Sequence, residues 1–211
     1  MYWRDVAAVP STLPLLPEIL AFVRPEDAIL DLGCGAGRVL SELAGQGLGQ
    51  ARFGLDINLP SLAAARDKGH AVLAAELTTA LPVRDAAVDV CFLQAVLTCL
   101  VPAAVRLAVL REACRVTRRV LCLADFLQNW DLPLYRDRYA SGVAETGETG
   151  SFLVREGGRV LYPAHHFTVE ELTALLATAG FTVAHLETPF VRTRSGNRLR
   201  GVVLAAQRIR A

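Results

Sequence analysis

The chain of 211 residues is long enough to bury one sizeable core, and 53% of its residues are apolar while only 20% are charged. This composition excludes an intrinsically disordered protein, which combines low hydrophobicity with high net charge. The 22 basic and 21 acidic side chains leave a net charge of +1, so the chain has no general attraction for nucleic acid or anionic lipid.

The mean hydropathy of +0.35 raises the alternative of a membrane protein. The most apolar stretch, residues 86–105, contains a single charged residue, Asp89, and is long enough to span a bilayer. Gln94 and Pro102 argue against a spanning helix, and no cluster of arginine or lysine closely flanks the stretch. We therefore interpret it as a buried strand, a turn and a helix that starts at Pro102.

The five cysteines form an odd-numbered set without a C-x-x-C pair. This pattern is typical of buried free thiols in a reducing compartment rather than of disulfides or a zinc site. The four histidines are scattered, and the first residues lack the basic and then apolar pattern of a secretory signal. We expect a cytoplasmic protein without a metal site and without a membrane segment.

Taken in chain order, helical stripes and short apolar runs alternate. An amphipathic helix is predicted over 16–23, and Thr168 with Glu171 predicts a capping box for a late helix that ends before Gly180. Further helices are predicted over 39–43, over 61–67 and from Pro102 onward. The predicted strands cover 28–32, 51–56, 70–74, 88–93, 120–126, 181–187 and 199–207.

This alternation predicts an α/β fold with a doubly wound, mostly parallel seven-stranded sheet. The loop containing Ser195-Gly196-Asn197 predicts that the last strand is antiparallel. We expect one domain over 1–211, with an N-terminal lid and helix over 1–25 and a cap inserted after the fifth strand over 127–167. Within the cap, Gly157-Gly158 predicts a hairpin.

A glycine-rich turn, D-L-G-C-G-A-G at 31–37, follows the first strand and precedes a helix. Glycines let the backbone turn tightly and let a ligand approach it, and ligands of open α/β sheets bind beyond the carboxyl ends of the strands. A dinucleotide fingerprint requires a third glycine at position 38, where this chain has Arg38. The turn instead resembles motif I of the class I S-adenosylmethionine-dependent methyltransferases, of the small bacterial type that consists of the methyltransferase domain alone.

The resemblance implies the Rossmann-like methyltransferase fold and S-adenosyl-L-methionine as cofactor. Asp56 ends the second strand, where a carboxylate can accept hydrogen bonds from both ribose hydroxyls, although NAD enzymes also carry an acid near this spacing. In the family, an acid before a Leu-Pro pair reaches the adenine; this chain has Glu76 one residue further from that pair, so Leu77 is an equal candidate. The predicted cofactor-binding residues are Asp31, Gly33, Cys34, Gly35, Gly37, Asp56, Ile57, Glu76, Leu77 and Gln94.

The acceptor is expected to lie under the cap and the N-terminus. His166 is the candidate catalytic residue, either as a general base or as a hydrogen-bonded histidine that ties the insertion down. The aromatic N-terminus could cover the cofactor, and Arg4 could pair with the cofactor carboxylate. The predicted substrate-binding residues are Trp3, Gln128, Tyr135, Arg138 and Tyr139.

The sequence therefore predicts a methyltransferase that acts on a small-molecule acceptor. An RNA or protein acceptor stays open, since Arg192, Arg194, Arg198 and Arg200 cluster near the last hairpin. Two alternatives belong to other classes, an NAD(P)-binding oxidoreductase and a cofactor-binding module without activity. The acceptor atom and the oligomeric state are not predicted.

Overall fold

The fold is a twisted α/β sheet with helices on both faces, and the computed structural model describes residues 2–6, 13–192 and 196–209. The strands are β1 (Ala28–Leu32), β2 (Ala51–Asp56), β3 (Ala71–Ala74), β4 (Val88–Gln94), β5 (Thr117–Phe126), β6 (Ser151–Glu156), β7 (Arg159–His165), β8 (Phe181–Glu187), β9 (Phe190–Arg192) and β10 (Arg198–Arg208). The α-helices are α1 (Tyr2–Asp5), α2 (Pro17–Leu20), α3 (Arg38–Gly45), α4 (Leu59–Asp67), α5 (Ala103–Val116), α6 (Pro133–Thr146) and α7 (Val169–Ala179).

Seven strands follow one another across the main sheet in the order β3-β2-β1-β4-β5-β10-β8. Strands β1 to β5 are parallel, and β10 is antiparallel to both β5 and β8. The predicted doubly wound, seven-stranded sheet with an antiparallel last strand is confirmed, with the three-residue strand β9 added beside β10. The strand order reverses between β1 and β4, which is where open α/β sheets bind their ligands.

The sheet is buried on both faces, which accounts for the apolar composition. The stretch 86–105 contains β4, a 3-10 turn at Leu97–Cys99 and the start of α5, as the sequence predicted. Every residue of β4 except Asp89 is buried. Within the described residues, no helix has the length and apolar character needed to cross a bilayer.

Two local predictions need correction. The helix expected over 16–23 spans only Pro17–Leu20, because the amides of Phe22 and Val23 bond three residues back and Pro25 disfavours helix before it. The capping box is half formed: the Thr168 hydroxyl accepts from the Glu171 amide at 3.1 Å, but the Glu171 carboxylate lies against other side chains. Ser195 of the predicted last loop lies outside the described residues.

The insertion after β5 forms a helix and a hairpin, as predicted. Helix α6 packs on β6 so closely that a Cβ on Gly142 would overlap the carbonyl oxygen of Ser151. The two ends of the insertion meet, since Leu127 and Phe167 form an isolated bridge and the Phe167 amide donates to the Phe126 carbonyl at 2.9 Å. The insertion is therefore a closed excursion from the rim of the sheet.

An ionic network around the buried Arg106 connects the insertion to helices α5 and α7. Arg106 in α5 has no exposed surface and donates two hydrogen bonds to Glu148, at 2.6 and 3.1 Å. Burial opposes ionisation of Glu148, but the hydrogen bonds from Arg106 and Ser151 keep its pKa below its usual range. Glu171 lies 2.9 Å from His165 and 3.6 Å from Arg106, which explains why it does not complete the capping box.

We expect Arg106→Met to destabilise the protein by about 3 kcal/mol, because it removes a fully buried cation and leaves the partly buried carboxylates of Glu148 and Glu171 without it. The unfolding free energy is measured by urea denaturation monitored by circular dichroism. Arg111→Met, on an exposed position of the same helix, is the matched control and should leave the midpoint unchanged. Equal midpoints for the two variants would contradict a stabilising role for the network.

Candidate active site

The glycine-rich turn lies at the carboxyl end of β1. Gly33, Gly35 and Gly37 have φ values of 80°, 50° and 76°, a region that other residues adopt at a cost. The amides of Gly33 and Cys34 both donate to the Leu55 carbonyl, at 2.7 and 3.1 Å, so the turn is anchored to β2. A Cβ on Gly35 would meet no atom within 4 Å, so open space lies above the turn.

Asp56, at the end of β2, joins the glycine turn to the start of α4. One carboxylate oxygen accepts from the Gly35 amide at 2.7 Å, and the other accepts from the Asn58 amide at 2.8 Å. Each carboxylate oxygen can accept more than one hydrogen bond, so both retain capacity for a ligand hydroxyl. The Asp56 carboxylate, which is predicted to bind the ribose, is thus held in place by the protein before any cofactor binds.

Asp31 and Gln94 are buried at the carboxyl ends of the two central strands, and among the described residues none of their side-chain polar atoms has a hydrogen-bond partner. Asp31 pairs in register with Phe92, so Asp31 and Gln94 lie on the same face of the sheet. Burial raises the pKa of Asp31 to about 7. Unsatisfied buried polar groups are costly, and a buried carboxylate in this place fits the ammonium group of an amino-acid moiety.

A cavity of about 360 Å³ lies next to Asp56, on the side of β3. Its walls are mainly apolar, which suits a flat aromatic ring. Glu76 lines it, whereas the alternative candidate Leu77 packs against the hydrophobic core. The residues that line the cavity are Arg4, Asp5, Ile57, Leu59, Ala74, Ala75 and Glu76.

Helix α1 forms a roof over this cavity. The side-chain amide of Asn58 donates to the backbone carbonyls of Trp3 and Val6, at 2.9 and 2.8 Å. These two hydrogen bonds fix the helix above the start of α4. Arg4 forms an ion pair with Glu76 at 3.2 Å. The partner of Arg4 is therefore a carboxylate of the protein, and not the cofactor carboxylate that was predicted. The N-terminal segment therefore covers the same space that the predicted cofactor residues surround.

The roof reaches the inserted cap through three aromatic rings. Tyr162 in β7 lies 4.7 Å from the Tyr2 ring and 4.6 Å from the Trp3 ring, measured between centroids. Trp3 is thus brought to the junction of roof and cap, and its role in binding the acceptor stays a prediction. Neither Asn58 nor Tyr162 was predicted, because their roles depend on contacts with residues more than 50 positions away.

The predicted acceptor residues form two groups within the cap. Tyr135 and Tyr139 are 2% and 0% exposed and pack around His166, so in this state they form the interior of the cap rather than an open wall. Gln128 accepts a hydrogen bond from the exposed Trp130 indole at 2.8 Å. The structure therefore brings the tyrosines and His166 together and leaves Gln128 nearer to the surface.

The arrangement fits S-adenosylmethionine in three respects. The unpartnered Asp31 carboxylate suits an ammonium group, Asp56 suits a pair of ribose hydroxyls, and the cavity beside Ile57 suits an adenine ring. Each of these sites lies at the carboxyl edge of the parallel strands, around the point where the strand order reverses.

Comparison with known proteins agrees with this fit. Residues 30–120 match the family described as methyltransferase domain. The crystal structure of a SAM-dependent methyltransferase from Methanosarcina mazei is 32% identical, covers 94% of this chain and 100% of that chain, and superposes with a TM-score of 0.88. A search of curated proteins finds no match.

More distant structures share the fold. Magnesium protoporphyrin IX methyltransferase from Synechocystis PCC 6803, with bound SAH, is 19% identical over 87% of this chain and 75% of that chain, with a TM-score of 0.62. The 1,6-didemethyltoxoflavin-N1-methyltransferase of Burkholderia thailandensis is 18% identical over 92% of this chain and 78% of that chain, with a TM-score of 0.65. With the Methanosarcina match over nearly its whole length, the chain belongs to the class I S-adenosylmethionine-dependent methyltransferases, enzymes whose cofactor is S-adenosylmethionine.

Proposed function

We propose that this methyltransferase transfers a methyl group to a small-molecule acceptor bound between the N-terminal roof and the inserted cap. The observation that carries the proposal is the contact of Tyr2 and Trp3 with Tyr162, because it joins the N-terminal roof to the cap beside the proposed cofactor site. A shallow depression of the surface lies beside Tyr2 and Arg159 on the cap side of the roof.

The charge distribution supports the same proposal. Arg198 and Arg200 of the last strand stack over the Phe190 ring, at 4.4 and 5.3 Å from its centroid, so this cluster has a local role in packing. The named acceptors of the Synechocystis and Burkholderia enzymes are small molecules, so the fold accommodates acceptors of this class. We also propose the cytoplasm as the compartment, because all five cysteines are free thiols.

In the proposed mechanism, the cofactor supplies a methyl group on a positively charged sulfur, which is already an activated leaving group. The chain therefore contributes mainly orientation of the two reactants and exclusion of water. Helix α1 and the cap exclude water, and Asp56 and Asp31 hold the two ends of the cofactor. The cofactor-binding residues we propose are Asp31, Gly33, Cys34, Gly35, Gly37, Asp56, Ile57, Glu76 and Gln94, while Leu77 supports the site from the core.

We expect Asp56→Ala to weaken binding of S-adenosylhomocysteine by about 1.5–3 kcal/mol, the usual contribution of hydrogen bonds to a charged group. Isothermal titration calorimetry measures the dissociation constant. Asp67→Ala, at an exposed position of α4, is the control and should bind like the wild type. A folded Asp56→Ala protein with an unchanged dissociation constant would refute the ribose role.

Asp31 makes the stability of the ligand-free protein depend on pH. Its pKa is about 7 in the folded state and near the ordinary value of 3.8 in the unfolded chain, so the folded state binds more protons between these values. Stability therefore falls as the pH rises through this range. We expect Asp31→Asn to flatten this slope between about pH 4 and pH 8 and to weaken binding of S-adenosylhomocysteine.

Urea denaturation at several pH values measures the slope, with Asp67→Asn as the control. Asp125 adds to the slope, because burial raises its pKa to about 7 as well, whereas His166 opposes it, because burial lowers the pKa of the imidazole to about 3. An Asp31→Asn slope as steep as that of the wild type would show that the Asp31 carboxylate is solvated or paired in solution.

The acceptor class is tested with S-adenosylmethionine that carries a tritiated methyl group. We expect label in an ultrafiltered metabolite extract and none in RNA or protein fractions of the same cells. Asp56→Ala should lower the labelling, whereas the double variant Arg198→Gln/Arg200→Gln should not. Label confined to RNA, and lost in the arginine variant, would replace the small-molecule proposal with an RNA acceptor.

A further inference from the structure

His166 and Tyr139 form a buried hydrogen-bonded pair whose protons can be assigned. The Tyr139 hydroxyl oxygen lies 2.7 Å from Nδ1 of His166 and accepts a hydrogen bond from the Asn129 amide at 3.2 Å. The hydroxyl proton needs an acceptor of its own, and within the described part of the chain that acceptor is Nδ1. A neutral His166 then carries its proton on Nε2.

The surroundings keep both groups uncharged. Burial, then the neighbouring His165 and Arg138, lower the pKa of His166 to about 3. Burial also raises the pKa of the Tyr139 hydroxyl. The rings of Phe126 and Phe152, which also pack against His166, carry no charge. Tyr139 therefore donates and His166 accepts over the physiological range.

His166 lies inside the cap, near the carboxyl end of β5. Its ring is 5.6 Å from that of Phe126, which ends β5 two residues after Ala124, the register partner of Gln94. Phe126 thus continues the sheet face that carries Asp31 and Gln94. Among the described residues, Nε2 of His166 has no hydrogen-bond partner, so its N–H is available to a ligand.

Arg138 brings a positive charge to the same place. Its guanidinium group stacks over Tyr135 and Phe152, at 5.3 and 5.5 Å, and these two rings also contact His166 at 5.1 Å each. No carboxylate within the described ranges pairs with Arg138 in an ion pair. A cation and an N–H donor that share two aromatic rings favour an anionic ligand.

On the basis of the proposed function, we propose that His166 binds the acceptor as a hydrogen-bond donor through Nε2–H rather than acting as a general base. Tyr139 is the residue that positions this tautomer. The acceptor is a small carboxylate. Without a base, the nucleophile must carry a free electron pair at neutral pH. Among the anionic acceptors that Arg138 favours, a carboxylate meets this condition, because it is fully ionised at neutral pH.

The reaction balances without a proton acceptor. A carboxylate oxygen donates an electron pair to the methyl carbon, the carbon–sulfur bond breaks, and its electron pair returns to sulfur. The negative charge of the acceptor and the positive charge of the sulfonium disappear together, and the product is a neutral methyl ester. His166 and Arg138 hold the carboxylate during this step, and no proton moves.

The tautomer is measured directly by long-range 15N–1H correlation spectra of the histidine-labelled protein. We expect His166 to be neutral and protonated on Nε2 between about pH 5 and pH 8. Tyr139→Phe should shift His166 toward the Nδ1-protonated form, while Tyr135→Phe, on the same helix, should not. A wild-type His166 that is protonated on Nδ1, or that titrates within this range, would overturn the proposal even if Tyr139→Phe failed to fold.

Two substitutions in the metabolite labelling assay distinguish a hydrogen-bond donor from a general base at His166. Glutamine can donate a hydrogen bond but cannot act as a base, so His166→Gln should retain labelling, whereas His166→Leu should lower it about tenfold or more. Equal losses in the two variants would instead support a general base.

Mild alkali should release the label as methanol, as it does from a methyl ester, and alkali-stable label would overturn the carboxylate acceptor. Label found only in RNA would overturn the proposed function, while the tautomer measurement would stand on its own.

Discussion

The structure depends on one carboxylate, that of Asp56, which holds together the segments that shape the site. It accepts amide hydrogen bonds from the glycine turn and from Asn58, and Asn58 in turn holds the roof helix through two backbone carbonyls. The glycine turn, the start of α4 and the roof helix are therefore all held at the carboxyl end of one strand, β2. Since β2 is paired on both sides, the position of Asp56 is as rigid as the sheet.

Rigidity near the cofactor site coexists with groups that are poorly satisfied in the ligand-free protein. Among the described residues, Asp31 and Gln94 have no hydrogen-bond partners, whereas Arg106, on the opposite face of the sheet, bonds Glu148 through both terminal nitrogens and leaves only Nε without a partner. Buried polar atoms without partners lower stability, and proteins tolerate them mainly where a ligand can supply the partner. The edge of the sheet near the glycine turn thus holds buried polar groups whose partners a bound ligand can supply.

The sequence predicted the sheet well because each strand is an apolar run and each glycine turn has a specific conformational requirement. It placed β1, β2 and β8 with their observed bounds and identified Asp31, Asp56 and the glycine turn. It could not predict the Arg4–Glu76 pair, the Asn58 contacts or the Tyr162 junction, since these arise only when distant segments meet. The proton positions of His166 depend likewise on Tyr139 and Asn129, which no local pattern connects.

The closed form of the insertion has a consequence for how such enzymes diverge. Leu127 and Phe167 lie side by side, so the 39 residues between them leave and rejoin the sheet at nearly one point. A segment attached in this way can be lengthened, shortened or exchanged without altering the register of β5 or the turn that holds the cofactor. Acceptor preference can therefore evolve in the insertion while the methyl-donor half of the molecule stays constant.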